Sequence, residues 1–158
     1  MVEVIARPAA VLWGEADLRL LDDAVDFAAR MTRATVSEFL AAPSSASNDV
    51  GRWIDVAIEF FVPPCSEACF VDELDRSMVR RSMEYAAVRR SGMAGPVHVL
   101  ALSPSAFHQW RSAWKVTHQA QHARRWSTDR EMLEQVLRYA ATGWREVGPL
   151  TPHTPVYE

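Results

Sequence analysis

Lysine is nearly missing from this chain: Lys115 stands alone, and arginine supplies every other basic residue among the 17 present. With so many alanines alongside, that bias reads as genomic base composition and carries no functional meaning. Cysteine is equally scarce, with 2 residues, Cys65 and Cys69. A secreted domain stapled by disulfides would have more, so the expectation is a cytoplasmic protein with both thiols reduced. No uninterrupted apolar run approaches the ~20 residues of a membrane span. The amino terminus, MVEVIARPAAVLWG, has no basic segment leading into an apolar one and does not read as a signal peptide. Glycine is sparse too, with 6 residues, none in a G-x-G-x-x-G or G-x-x-x-x-G-K pattern. That removes the usual phosphate-cradling loops. The G-x-S-x-G elbow of serine hydrolases is also missing.

The chain has 158 residues, 49% of them hydrophobic and 23% charged. That suits one soluble domain with enough apolar surface to offset the entropy of ordering. Net charge is −3, but its layout is uneven. Residues 1–75 hold 5 Arg against 14 acids, residues 76–130 hold 10 bases against 2 acids, and residues 131–158 hold 2 bases against 4 acids. The acidic front and basic middle either pair with each other on folding or present opposite faces to partners.

Periodicity places the elements. Leu18, Leu21, Val25, Ala28, Thr32, Val36 and Phe39 recur at three- and four-residue steps, predicting one long helix that Pro43 ends. In RWIDVAIEFFVPP, Ile54, Val56, Ile58, Phe60 and Val62 alternate with Asp55 and Glu59, which predicts a half-buried strand. VDELDRSMVRRSMEYAAVRR predicts a second helix, acidic early and basic late as the helix dipole favours. VHVLALS predicts a buried strand. Ser103 as N-cap and Pro104 in the first turn predict a helix running to about residue 125. Thr128 and Glu131 form a capping box for a last helix. Val2–Ala6 is a candidate edge strand. The expected fold is therefore α+β: a helix-rich single domain over 1–146, about four helices on a two- to three-stranded sheet. An extended Pro-rich tail would follow over 147–158.

Four kinds of chemistry are open. The first is a cationic stripe on the 104–125 helix: His108, Arg111, Lys115, His118, His122 and Arg125. It could meet an acidic protein surface, another copy of this chain, or a nucleic-acid backbone. The second is zinc, the one cofactor worth weighing. Cys65 and Cys69 lie four apart, as do His118 and His122, and thiolate plus imidazole is a common structural set. Nothing in the sequence forces the two pairs together. The third is acid–base or nucleophilic catalysis. Its candidates are His98, Ser103 and Ser105 around one strand-to-helix turn, and Asp55 with Glu59 as a carboxylate pair. The fourth is assembly, suggested by 6 tryptophans and the tail. The leading expectation is a non-enzymatic binding or assembly protein, plausibly a homo-oligomer, that uses the stripe against an acidic partner. The alternative is a small enzyme with a small-molecule pocket between sheet and helices. No membrane partner is expected.

Overall fold

A computed structural model describes residues 15–43, 54–92, 97–114, 124–126, 130–139 and 144–147. The elements in chain order are α1 (Glu15–Met31), β1 (Thr35–Pro43), β2 (Ile54–Val62), α2 (Glu67–Arg81), α3 (Met83–Arg90), β3 (His98–Leu102), α4 (Ala106–Trp114), β4 (Arg124–Trp126), α5 (Arg130–Tyr139) and β5 (Trp144–Val147). The α+β class stands, as a small domain in which helices pack on a mixed sheet. The order across the sheet is β4-β1-β2-β3-β5, so three longer central strands carry a short strand at each edge. β1 and β2 pair antiparallel, β2 and β3 parallel, β1 and β4 parallel, and β3 and β5 antiparallel. No helix among the described residues is long and apolar enough to cross a membrane.

The long helix expected to run to Pro43 stops at Met31. Arg33 takes φ +58°. The Ala34 amide donates to the Ala29 carbonyl at 2.8 Å and the Arg33 amide to Arg30 at 3.4 Å. These bonds are the paired closure of a Schellman motif, which normally puts glycine at the left-handed position. Arginine there hid the stop. The buried Thr32 hydroxyl also donates to the Ala28 carbonyl at 2.7 Å. Past the turn, Thr35, Val36 and Phe39 suit a strand better than a helix.

The second predicted helix is two helices. Ser82 is extended, with φ −123°, and its hydroxyl accepts from the Tyr85 amide at 3.1 Å, capping α3. α3 ends at Arg90, and Gly92 just beyond its C-cap Ser91 takes φ +72°. The helix after Pro104 spans only Ala106–Trp114, and Arg124–Trp126, expected to be helical in part, is a strand beside β1. Trp144, expected on the inner face of the last helix, begins β5. The candidate strand at Val2–Ala6, the capping residue Thr128 and the tail from 148 onward lie outside the described residues.

Helices cover both faces of the sheet, which the strand pattern explains. On one face, Phe39, Ala41, Ile54, Val56, Ile58, Val99 and Ala101 meet α1, α2 and α3 through Leu21, Val25, Phe70, Leu74 and Tyr85. On the other, Leu40, Ala42, Ala57, Leu100 and Leu102 meet Phe107 and Trp110 of α4 and Leu133 and Val136 of α5. β2 is therefore an internal strand, buried without a break from Ile54 to Ile58.

One polar cluster ties the first layer together. Tyr85, fully buried, donates its hydroxyl proton to Asp75 and accepts from the Val97 amide at 3.1 Å. Arg89 holds the same carboxylate through two 3.0 Å bonds. Burial first, then the adjacent Asp75 charge, pushes the Tyr85 hydroxyl well above its ordinary pKa, so it stays a donor. Tyr85→Phe would leave the Val97 amide and one Asp75 oxygen without this partner. We expect a loss of about 1–3 kcal/mol in urea unfolding, with an unchanged slope.

Candidate functional site

β2 alternates, so Asp55, Ala57, Glu59 and Phe61 share the face that α4 and α5 cover. A row of polar groups runs along that face, with two centres.

The first centre is at the amino ends of the parallel strands β2 and β3. Asp55 and His98 are cross-strand partners there. Asp55 Oδ1 lies 3.1 Å from His98 Nδ1, and Arg130 Nη1 at the start of α5 donates to Asp55 Oδ2 at 2.6 Å. Arg130 Nε also reaches Glu134 Oε1 at 3.3 Å. The Asp55 side chain is only 4% exposed. Burial raises its pKa, but hydrogen bonds and charge from His98 and Arg130 outweigh burial and hold it below the ordinary 3.8. The arrangement is a buried anion that joins sheet to helix. A His steered by a carboxylate is also the layout of acid–base pairs.

The second centre is at the carboxyl ends of the same two strands. Glu38 of β1 and Glu59 of β2 are direct cross-strand partners, next to a register shift between Val36 and Glu38. Two carboxylates opposite one another repel. Arg111 of α4 relieves this by binding both oxygens of Glu38. Its own pKa rises, first through those hydrogen bonds and, against the cost of burial, through the charges of Glu38 and Glu59. Glu59 accepts from the Ser105 amide at 2.6 Å and the Phe107 amide at 3.3 Å. A strand carboxylate thus does the work of an N-cap for α4. Ser103, the expected cap, sits three residues ahead of the helix, and its buried Oγ has no hydrogen-bond partner among the described residues. Ser105 takes φ +69°, a left-handed conformation that serine rarely adopts. A strained turn, a bulge and a part-buried ion cluster at the carboxyl ends of parallel strands are features often found together at functional sites.

The sequence-derived candidates fall differently. Asp55 and Glu59 share a face but are four residues apart, roughly 13 Å along a strand, and each belongs to its own centre. Glu38, which pairs with Glu59, escaped notice because it sits in a segment that reads as helix. The cationic stripe is not one continuous helix face. His108 is exposed on α4, Arg111 is turned to Glu38, and Arg125 lies in β4. Lys115, His118 and His122 lie outside the described residues. Cys65 is exposed just ahead of α2 and Cys69 is half-buried in its first turn, with the Ser66 hydroxyl capping between them. Among the described residues, no three His, Cys, Asp or Glu side chains come together as a metal site.

Because the Asp55 pKa is depressed by folding, its stabilisation is complete above the ordinary carboxylate value and is lost as pH falls through the depressed one. Asp55→Asn should therefore cost about 2 kcal/mol near neutral pH, since Arg130 keeps Glu134 and some solvent, and the gap from wild type should close in strong acid. Paired denaturation curves across pH measure this. At the second centre, Glu59→Gln should destabilise by about 1–2 kcal/mol through loss of the charged cap. Ser105→Gly should stabilise by up to about 1 kcal/mol, because glycine tolerates the left-handed turn. Thermal melts of both variants separate the two effects by sign.

Residues 19–123, well over half the chain, match the profile of the GH3 family C-terminal domain. Among solved structures, the chain resembles GH3.15 acyl acid amido synthetase, with TM-score 0.61 and 17% identity over 84% of this chain and 24% of that one. It also resembles AtGH3.15 acyl acid amido synthetase in complex with 2,4-DB, with TM-score 0.62 and 16% identity over 84% of this chain and 25% of that one. At such identities the likeness is one of fold. The chain spans about a quarter of the length of these synthetases. No curated protein matches it. The expectation of a non-enzymatic binding or assembly protein is overturned by the family match, since the domain is one found in an enzyme family; the enzyme alternative fits better. The chain belongs to the GH3 family, and its matched residues correspond to that family's C-terminal domain.

Proposed function

We propose that this chain serves amide-bond synthesis between an acyl acid and an amine, as the C-terminal-domain part of an acyl acid amido synthetase. The observation that carries the reading is the family match over residues 19–123. The fold likeness to two solved structures of such synthetases supports it. Joining a carboxylate to an amine is uphill in water, so the carboxyl must be activated, usually at the expense of a nucleoside triphosphate. This chain has no glycine-rich phosphate loop. Its share of the synthetases' length also argues for a contributing domain rather than the whole catalytic body. Within the chain, the Glu38–Arg111–Glu59 centre is the part we assign to the reaction. It holds charges of both signs at the carboxyl ends of parallel strands, where open α/β sheets tend to hold ligands. Free Cys65 and Cys69 suit a reducing compartment, and we place the protein in the cytoplasm.

The test is to capture the chain from its own cells and incubate the captured material with ATP, a panel of carboxylic acids and a panel of amines. Mass spectrometry then looks for new acyl amides. Amide should form with the captured material and not with the purified chain alone. Absence of any acyl amide across both panels would sink the reading.

A further inference from the structure

Four large apolar side chains stand exposed among the described residues: Met31, Phe61, Val62 and Met83. The fold gathers three of them at one end. Val62 is the cross-strand partner of Thr35, the first residue of β1. The Cys65 amide donates to the Thr32 carbonyl at 2.9 Å, which ties the loop after β2 to the turn after α1. Met31, the last residue of α1, therefore shares a tip with Phe61 and Val62, the last residues of β2. Pro63 is exposed as well, so three consecutive apolar residues meet solvent. Soluble surfaces avoid such runs unless the run contacts something.

The tip also carries charge of one sign. Arg30 and Arg33 flank Met31 and are exposed, and neither guanidinium has an ion-pair or hydrogen-bond partner among the described residues. Acids at the same end are engaged. Glu38 holds Arg111, Glu59 holds the amides that begin α4, and Glu67 has its own interaction. The complement of this tip is therefore anionic on the outside and apolar beneath. Phe61 is 78% exposed and Met31 57%, so they project from the domain instead of lining a groove. A protein surface would need a pocket for each projecting side chain. A bilayer with acidic headgroups needs none: apolar side chains enter its interface while arginine reaches the phosphates. The expectation of no membrane partner rests on the lack of a spanning segment, and peripheral contact requires no span.

We infer that the Met31–Phe61–Val62 tip seats the protein on an anionic lipid surface, with Arg30 and Arg33 at the headgroups. Nothing in this depends on amide synthesis. The full chain is sedimented with vesicles of phosphatidylcholine alone and of phosphatidylcholine with roughly one-third phosphatidylglycerol, whose negative surface attracts arginine. It should bind the second and not the first, and raised salt should weaken the binding. Phe61→Ser should weaken it by at least about tenfold, the scale of one buried phenylalanine. Arg30→Gln together with Arg33→Gln should weaken it by roughly twenty-fold, about fivefold per arginine. Met83→Ser changes an exposed apolar residue the length of α2 away, ~22 Å, and should bind like wild type. The inference is overturned if neither vesicle binds, if both bind equally, or if the Phe61 or the arginine variant binds like wild type. It is also overturned if Met83→Ser loses as much as Phe61→Ser. Self-association that depends on Phe61, seen by light scattering in place of vesicle binding, would overturn it too and give the tip to a second copy.

Discussion

A strand buried on both faces cannot leave a carboxylate unanswered. β2 is that strand, and it carries Asp55 and Glu59 on the face beneath α4 and α5. Taking an ionised carboxylate out of water costs several kcal/mol unless a cation or several donors meet it. Each of the two finds such partners in a different element. Asp55 takes His98 from β3 and Arg130 from α5. Glu59 takes two amides from the start of α4. The apolar contacts of Phe107, Trp110, Leu133 and Val136 supply adhesion between these helices and the sheet. The carboxylates decide where along the sheet each helix begins.

The same requirement accounts for the uneven charge along the chain. Glu38 meets Arg111, Asp55 meets Arg130, Asp75 meets Arg89 and Asp23 meets Arg81. In every pair the acid comes from the acidic front and the base from the basic middle. Much of what reads in sequence as two faces for partners is an internal pairing. Arg111, one residue of the cationic stripe, is held against Glu38 of β1.

The carboxyl ends of β2 and β3 hold the least regular backbone of this sheet. There a positive φ at Ser105, a register shift beside Glu38 and a carboxylate acting as a helix cap occur together. Such a turn is held in place only because the surrounding fold over-determines it.

Local physics in the sequence was enough for several elements. The alternation over 54–62, the apolar run over 97–103 and the dipole-matched charges of 71–90 correspond to β2, β3 and the α2–α3 pair, since each rests on local pattern within one segment. The helix stop at Met31 was invisible, because its left-handed residue is Arg33 rather than glycine. The break at Ser82 was hidden because the apolar period continues on either side of it. β4 and β5, of three and four residues, are too short to show a period, and pairing with β1 and β3 alone defines them. The partners of Asp55, Glu38 and Glu59 lie 43 to 75 residues away along the chain. No spacing rule spans such distances. Composition and period decided the character of the longer, regular segments and that charge must be neutralised somewhere. Only the tertiary fold decided which acid meets which base, because that choice follows from strand register and helix docking.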